Sequence, residues 1–193
     1  MEVKKRLYTV DDVLELQGWD GKRDRKYELI NGDLIEMSPT NYPHGRLAGR
    51  LFRYFEDYAE SRNLGEASVE AGFHPANDRS TLLAPDVAFI TRARLPDPES
   101  FTLVGFMPDL AVEIKSPSNT MAELRRKSTI YLENGAQLVW LIDPMKRIAE
   151  ICRLGESGQL QTRTVGPDGK LSGEDLLPGF VLELRHLFGR RST

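Results

Sequence analysis

The sequence predicts an α/β fold, a mixed β-sheet with helices packed on it, and three observations carry that reading. Residues 109–115, with the sequence DLAVEIK, and residues 138–142, with the sequence LVWLI, are largely apolar runs of strand length. Between them, residues 121–134 read as a helix stopped by Gly135, which completes a strand–helix–strand unit. Apolar character along both strands fits buried parallel neighbours joined by a right-handed crossover. Upstream, Tyr27-Glu28-Leu29-Ile30 and Leu34-Ile35-Glu36-Met37 flank Asn31-Gly32, a dipeptide that favours the two-residue hairpin turn.

The other elements follow in order. Residues 9–17 form a short helix, with Thr9 as N-cap and Asp12 three positions on. Residues 22–26 are a polar loop. Within the hairpin, alternation puts Glu28 and Ile30 on one face and Tyr27 and Leu29 on the other. Over residues 43–61, Leu47, Leu51, Tyr54, Phe55 and Tyr58 recur at spacings of three and four, the stripe of an amphipathic helix. Asn63-Leu64-Gly65 ends it. Strands are expected at 67–74 and 85–90 around a turn at Asn77-Asp78-Arg79. Residues 92–106 form an irregular connection. Two weaker strands at 148–153 and 160–165, the turn Gly166-Pro167-Asp168-Gly169 and a terminal helix at 182–188 complete the chain. With no repeat, low-complexity tract or long linker, residues 1–193 are expected to form one domain.

Composition bounds the chemistry. The chain has 193 residues, 40% of them hydrophobic and 28% charged, with a mean hydropathy of -0.41. One cysteine excludes an internal disulfide framework and a tetrathiolate zinc site within the chain, and suits a reducing cytoplasm. Lysine and arginine number 26 against 29 acidic residues, a net charge of -3 that offers nucleic acid no global attraction but leaves room for a local patch. The opening MEVKKRLYTV lacks the apolar run of a secretory leader, and no stretch is long and apolar enough for a membrane span.

Charge within the apolar strands points to chemistry. Glu113 and Lys115 stand two apart in a run otherwise suited to burial, so alternation places them on one face. Buried there, they carry a desolvation penalty unless something uses them. Asp86, opening the apolar run after Pro85, is a second carboxylate, and Glu28 on the hairpin is a third. Clustered carboxylates suit hard cations such as Mg²⁺ or Mn²⁺, and a lysine beside them can stabilise developing negative charge or orient a water. Those parts suit phosphodiester hydrolysis. The plainer alternative makes Asp86 a turn residue, Glu28 a solvated edge position and Glu113-Ile114-Lys115 a commonplace triplet.

An ordered set of segments then resembles the Uma2 family, also called the domain of unknown function DUF820, within the PD-(D/E)xK nuclease superfamily. The segments are YTVDD (8–12), YELINGDLIEMSP (27–39), His44-Gly45, APDVAF (84–89), PDLAVEIKSPS (108–118), Lys127, Tyr131, Gly135, Asp143-Pro144 and LPGF (177–180). The resemblance spans nearly the whole chain and implies a restriction-endonuclease-like fold and a metal-dependent endonuclease acting on DNA. It implies Asp86, Glu113 and the backbone carbonyl of Ile114 as metal ligands, and Glu28 as an additional acidic residue at the metal. Lys115 is the implied catalytic lysine. Many relatives read Glu-Val-Val-Ser-Pro at this strand end, which leaves Lys127 on the following helix as a second lysine candidate. Relatives also often carry aspartate near the position of Glu123. A homodimer is implied too, with two sites that can address opposite strands of a duplex.

Other residues stay open between roles. His44 is a structural residue, a residue that supports the site's ligands from behind, or a phosphate contact. Arg46, Arg50 and Arg53, with Tyr42 nearby, form either a basic ridge for nucleic acid or a solvated helix face. Ser118 or Thr120 reads as a helix N-cap, Trp140 as core or dimer packing, and Cys152 as inert. Three further readings fit the residues: a non-catalytic nucleic-acid-binding or regulatory protein on the same scaffold, a structural or protein-interaction domain with solvated carboxylates, and hydrolysis of a small phosphoester.

Overall fold

In the computed structural model, which describes residues 6–17, 25–99 and 102–189, the apolar runs pair into a six-stranded sheet. The hairpin comes first, as β1 (Lys26–Ile30) and β2 (Asp33–Met37), paired antiparallel as a separate two-stranded sheet. Asn31 and Gly32 both take positive φ, the conformation a two-residue hairpin turn requires. The main sheet contains β3 (Gly65–Ser68), β4 (Val87–Thr91), β5 (Leu110–Ile114), β6 (Leu138–Asp143), β7 (Ile148–Leu154) and β8 (Leu160–Val165), neighbours in that order. β5 and β6 run parallel and every other neighbouring pair antiparallel, so the sheet is mixed. A small hairpin of β9 (Lys170–Ser172) and β10 (Val181–Glu183) lies near the C-terminus.

The helices are α1 (Val10–Gln17), α2 (Tyr42–Ala59), α3 (Met121–Glu133) and α4 (Leu184–Phe188). The buried side of α2, Leu47, Leu51, Phe55 and Ala59, packs in one core with Val87, Phe89, Leu110, Val112, Ile114 and Trp140 of the sheet. Alternation sends Ala88, Ile90, Ala111, Val139 and Leu141 the other way, into a second core with Leu124, Tyr131 and Leu132 of α3. Sheet strands covered on both faces explain their nearly continuous apolar sequences. A smaller cluster joins α1 to the hairpin through Val10, Val13 and Leu29.

Differences from expectation sit mostly at element ends. The strand expected at 67–74 occupies Gly65–Ser68, and beyond it Phe73 forms isolated bridges to Leu83 and Val104. The strand expected at 109–115 ends at Ile114, leaving Lys115 outside it. The last turn expected for α2 tightens into a 3-10 helix, Glu60–Arg62, capped by Asn63 in the left-handed region. The terminal helix begins two residues late because Leu182 pairs with Leu171 in the β9–β10 hairpin. Most of the 22–26 loop lies outside the described residues. Among the described residues no helix is long and apolar enough to cross a membrane.

Candidate active site

The antiparallel register of β4 and β5 pairs Val87 with Val112, so one step further along it sets Asp86 beside Glu113. The parity of both positions turns them toward α3, away from the α2 core. Asp86 Oδ2 accepts the Ile114 backbone N–H at 2.6 Å, tying the two strands together at the site. Its Oδ1 accepts from His44 Nε2 at 2.7 Å, a buried pair. His44 reaches there because α2 begins just before it, with Asn41 as N-cap accepting the His44 backbone N–H at 3.1 Å.

Glu113 is fixed from the helix side. Tyr131 Oη donates to Glu113 Oε1 at 2.7 Å, and Lys127 Nζ lies 2.8 Å from the same oxygen. Lys127 and Tyr131 are four apart on α3, so one helical face presents both. The same ammonium lies 2.7 Å from Glu28 Oε1, which also accepts the Ala84 N–H at 2.8 Å. The hairpin is held in place by paired Leu29–Leu82 backbone hydrogen bonds, and this brings Glu28 to α3.

The cluster is an electrostatic compromise. Burial pushes the Glu113 carboxyl up to about 7; Lys127 opposes that rise, while Asp86 and Glu28 add to it. For Lys127 burial acts to lower the pKa, and the attraction of Glu113 and Glu28 outweighs it, so the net shift is upward and the ammonium stays charged. Burial and the neighbouring Glu113 carboxylate raise the Tyr131 hydroxyl well above its usual range. The bond to Asp86 raises His44 against the opposing effect of burial.

These groups face a cleft of about 890 Å³, lined by Glu28, Asp86, Glu113, Lys127 and His44 among others. Lys115 does not line it; its ammonium donates to the Ser116 carbonyl at 3.2 Å. Of the residues expected at the site, the structure thus gathers Glu28, Asp86, Glu113, Ile114 and Lys127, and leaves Lys115 aside. Strand alternation placed Lys115 beside Glu113, but that rule holds only while the strand lasts. Among the described residues no group of three or more His, Cys, Asp or Glu side chains stands ready to hold a metal.

The matching family profile is described as "Uma2: Putative restriction endonuclease" and covers residues 10–185. The chain belongs to the Uma2 family. Its fold is the restriction-endonuclease-like fold of the PD-(D/E)xK superfamily. A solved Anabaena variabilis structure, titled a "putative nuclease belonging to DUF820", matches with a TM-score of 0.77 at 21% identity. The match covers 93% of this chain and 97% of that one, and at such identity it shows a shared fold. No curated protein matches the chain.

For a Uma2 chain, the structure gives definite partners to two residues whose roles the sequence reading left open, Tyr131 with Glu113 and His44 with Asp86. Tyr131 had a signal in its i,i+4 relation to Lys127. His44 stood among the segments of the family resemblance, but its pairing had no local signal, since its partner Asp86 is 42 positions away. The possible basic ridge on α2 is largely committed elsewhere. Arg50 donates to the Leu187 carbonyl at 2.8 Å and to the Gly189 carbonyl, and Arg53 lies 3.8 Å from Asp57. Glu123 closes a capping box with Thr120.

Proposed function

We propose that this chain is a divalent-metal-dependent endonuclease that hydrolyses DNA phosphodiester bonds with Mg²⁺ or Mn²⁺. The observation that carries the proposal is the paired strand ends: Asp86 and Glu113 lie side by side in an open cleft, with a charged lysine against Glu113. The donor chemistry fits a hard cation. Carboxylates in this cluster exceed its permanent positive charge, and burial leaves Glu113 poorly compensated even beside Lys127. Asp86, Glu113 and the Ile114 carbonyl are the groups that would hold the metal. When bound, the cation supplies Lewis-acid polarisation of the phosphodiester.

The chain's own residues supply the remainder. His44 and the Ile114 N–H hold Asp86, and Tyr131 holds Glu113, so both carboxylates are oriented before substrate arrives. Lys127 is the lysine positioned to stabilise charge developing on the phosphate or to orient the attacking water, with Glu28 anchoring its other side. That gives Lys127 the role the strand pattern suggested for Lys115.

Incubation of labelled DNA with Mg²⁺, with Mn²⁺ and with chelator tests this reading. Metal-dependent cleavage is expected, reduced at least about a hundredfold in D86A, E113Q and K127A protein and retained in K115A. Cleavage unaffected by D86A and E113Q overturns the proposal.

A further inference from the structure

The cleft does not end at Asp86. A second hollow of about 650 Å³ shares with it both Asp86 and the segment 36–40, so the two are arms of one groove that meet at this carboxylate. Resting on the nuclease reading above, we infer that the groove takes an unpaired DNA strand in preference to a duplex. That departs from the two-subunit, two-strand expectation raised by the family resemblance.

Charge is the first argument. Duplex binding depends on neutralising closely spaced phosphates, with about six to ten contacts in a typical complex. Among the described residues, the cations lining the groove are Arg25, Lys26, Arg126 and Lys127, and the carboxylates lining it outnumber them. Lys127 is held by Glu28 and Glu113, Lys26 pairs with Glu70, and Arg25 lies 3.4 Å from Glu36. A rigid rod of phosphates finds little here. A flexible strand needs only a few phosphate contacts: Arg126 can provide one in its arm, and in the other Arg25 and Lys26, whose ion pairs are solvent-exposed and weakly held, can exchange Glu36 and Glu70 for phosphate.

The walls are the second argument. Beside the acidic cluster, Ile30, Ile35, Met37 and Ile130 line the cleft, and Ile35 is 41% exposed. Tyr27 lines the other arm. Apolar and aromatic side chains next to a phosphodiester site suit the faces of bases, which a duplex keeps stacked and an unpaired strand presents.

Fluorescence anisotropy with a labelled DNA strand and its annealed duplex, in Ca²⁺ buffer to separate binding from turnover, tests the inference. The single strand is expected to bind at least about tenfold more tightly than the duplex at the same salt. Arg126→Ala should lower the steepness of the log–log salt dependence by about 0.7, the contribution of one phosphate contact to a single strand. Ile35→Ser, at an exposed lining position and without a change of charge, should weaken single-strand binding by about tenfold through lost base contact. Equal or tighter duplex binding overturns the inference, as does wild-type single-strand affinity in the Ile35→Ser variant. An RNA strand held more tightly than the same DNA overturns the choice of DNA. A separate assay with bis(p-nitrophenyl) phosphate distinguishes failure of the underlying reading. If neither that ester nor bound DNA is hydrolysed with Mg²⁺ or Mn²⁺, catalysis is refuted while the strand preference stands.

Discussion

Burial pushes Glu113 from an ordinary value of 4.5 up to about 7, so over that interval the folded chain retains a proton that the unfolded chain has released. The resulting stability is fully present below about 4.5 and is lost as pH rises through about 7, an effect on the order of 3 kcal/mol. His44, raised from 6.5 by its bond to Asp86, adds a contribution of the same sign that fades at higher pH. In chelator, the melting temperature is therefore expected to fall between about pH 5 and pH 8, and Glu113→Gln should flatten most of that slope. A slope unchanged in the variant would show that Glu113 is not its source. Asp109 is the contrasting buried carboxylate. It accepts from Thr91 N, Thr91 Oγ1 and Gln137 Nε2 and pairs with Arg94, all without lining the cleft. Asp109→Ala leaves the arginine and these donors unmatched and should cost about 3–5 kcal/mol in urea denaturation. Sequence reading marked Glu113 through charge in an apolar strand; Asp109, one step before that strand, has its partners on three other segments.

At the scale of elements, α3 matters most because it carries Lys127 and Tyr131 to the carboxylates. Its start is set locally: the Thr120 side chain accepts the Glu123 N–H, and Glu123 accepts the Thr120 N–H in return. Thr120→Ala should therefore cost about 1 kcal/mol by chemical denaturation. A loss well under that would mean that packing of Leu124, Tyr131 and Leu132 alone holds the helix start. Such local chemistry is legible in sequence, and the limits of α3 agree with expectation to within one residue. The hairpin was equally legible, since Asn31-Gly32 sets its turn and alternation sends Glu28 and Ile30 to the cleft. Lys115 was misplaced because the end of β5 depends on its neighbours. The loop that follows turns its ammonium back onto the Ser116 carbonyl.

Across the whole molecule, the two sheet faces divide the work. On the α2 face, Phe55, Trp140 and Phe180 form an aromatic cluster, with ring centroids 5.4 to 6.4 Å apart, and Tyr58 stands edge-on to Phe180. Gly179 lets the chain turn there: its φ is +81°, and a Cβ would come within 2.8 Å of Tyr58 Oη. Phe180→Ala should cost about 3–5 kcal/mol, seen as a lower urea midpoint. Retention of the wild-type midpoint would mean that this C-terminal segment is not part of the cooperative core. The α3 face carries the acidic site. By itself the sequence determined the α/β class, the hairpin, the apolar strands and the charges that burial could not explain, because periodicity and turn chemistry act over a few residues. Only tertiary structure decided which lysine meets Glu113, that His44 holds Asp86, and that Glu28 is engaged by an ammonium. Those pairings join positions up to 99 residues apart in the chain, and they exist only once hairpin, sheet and helix have packed.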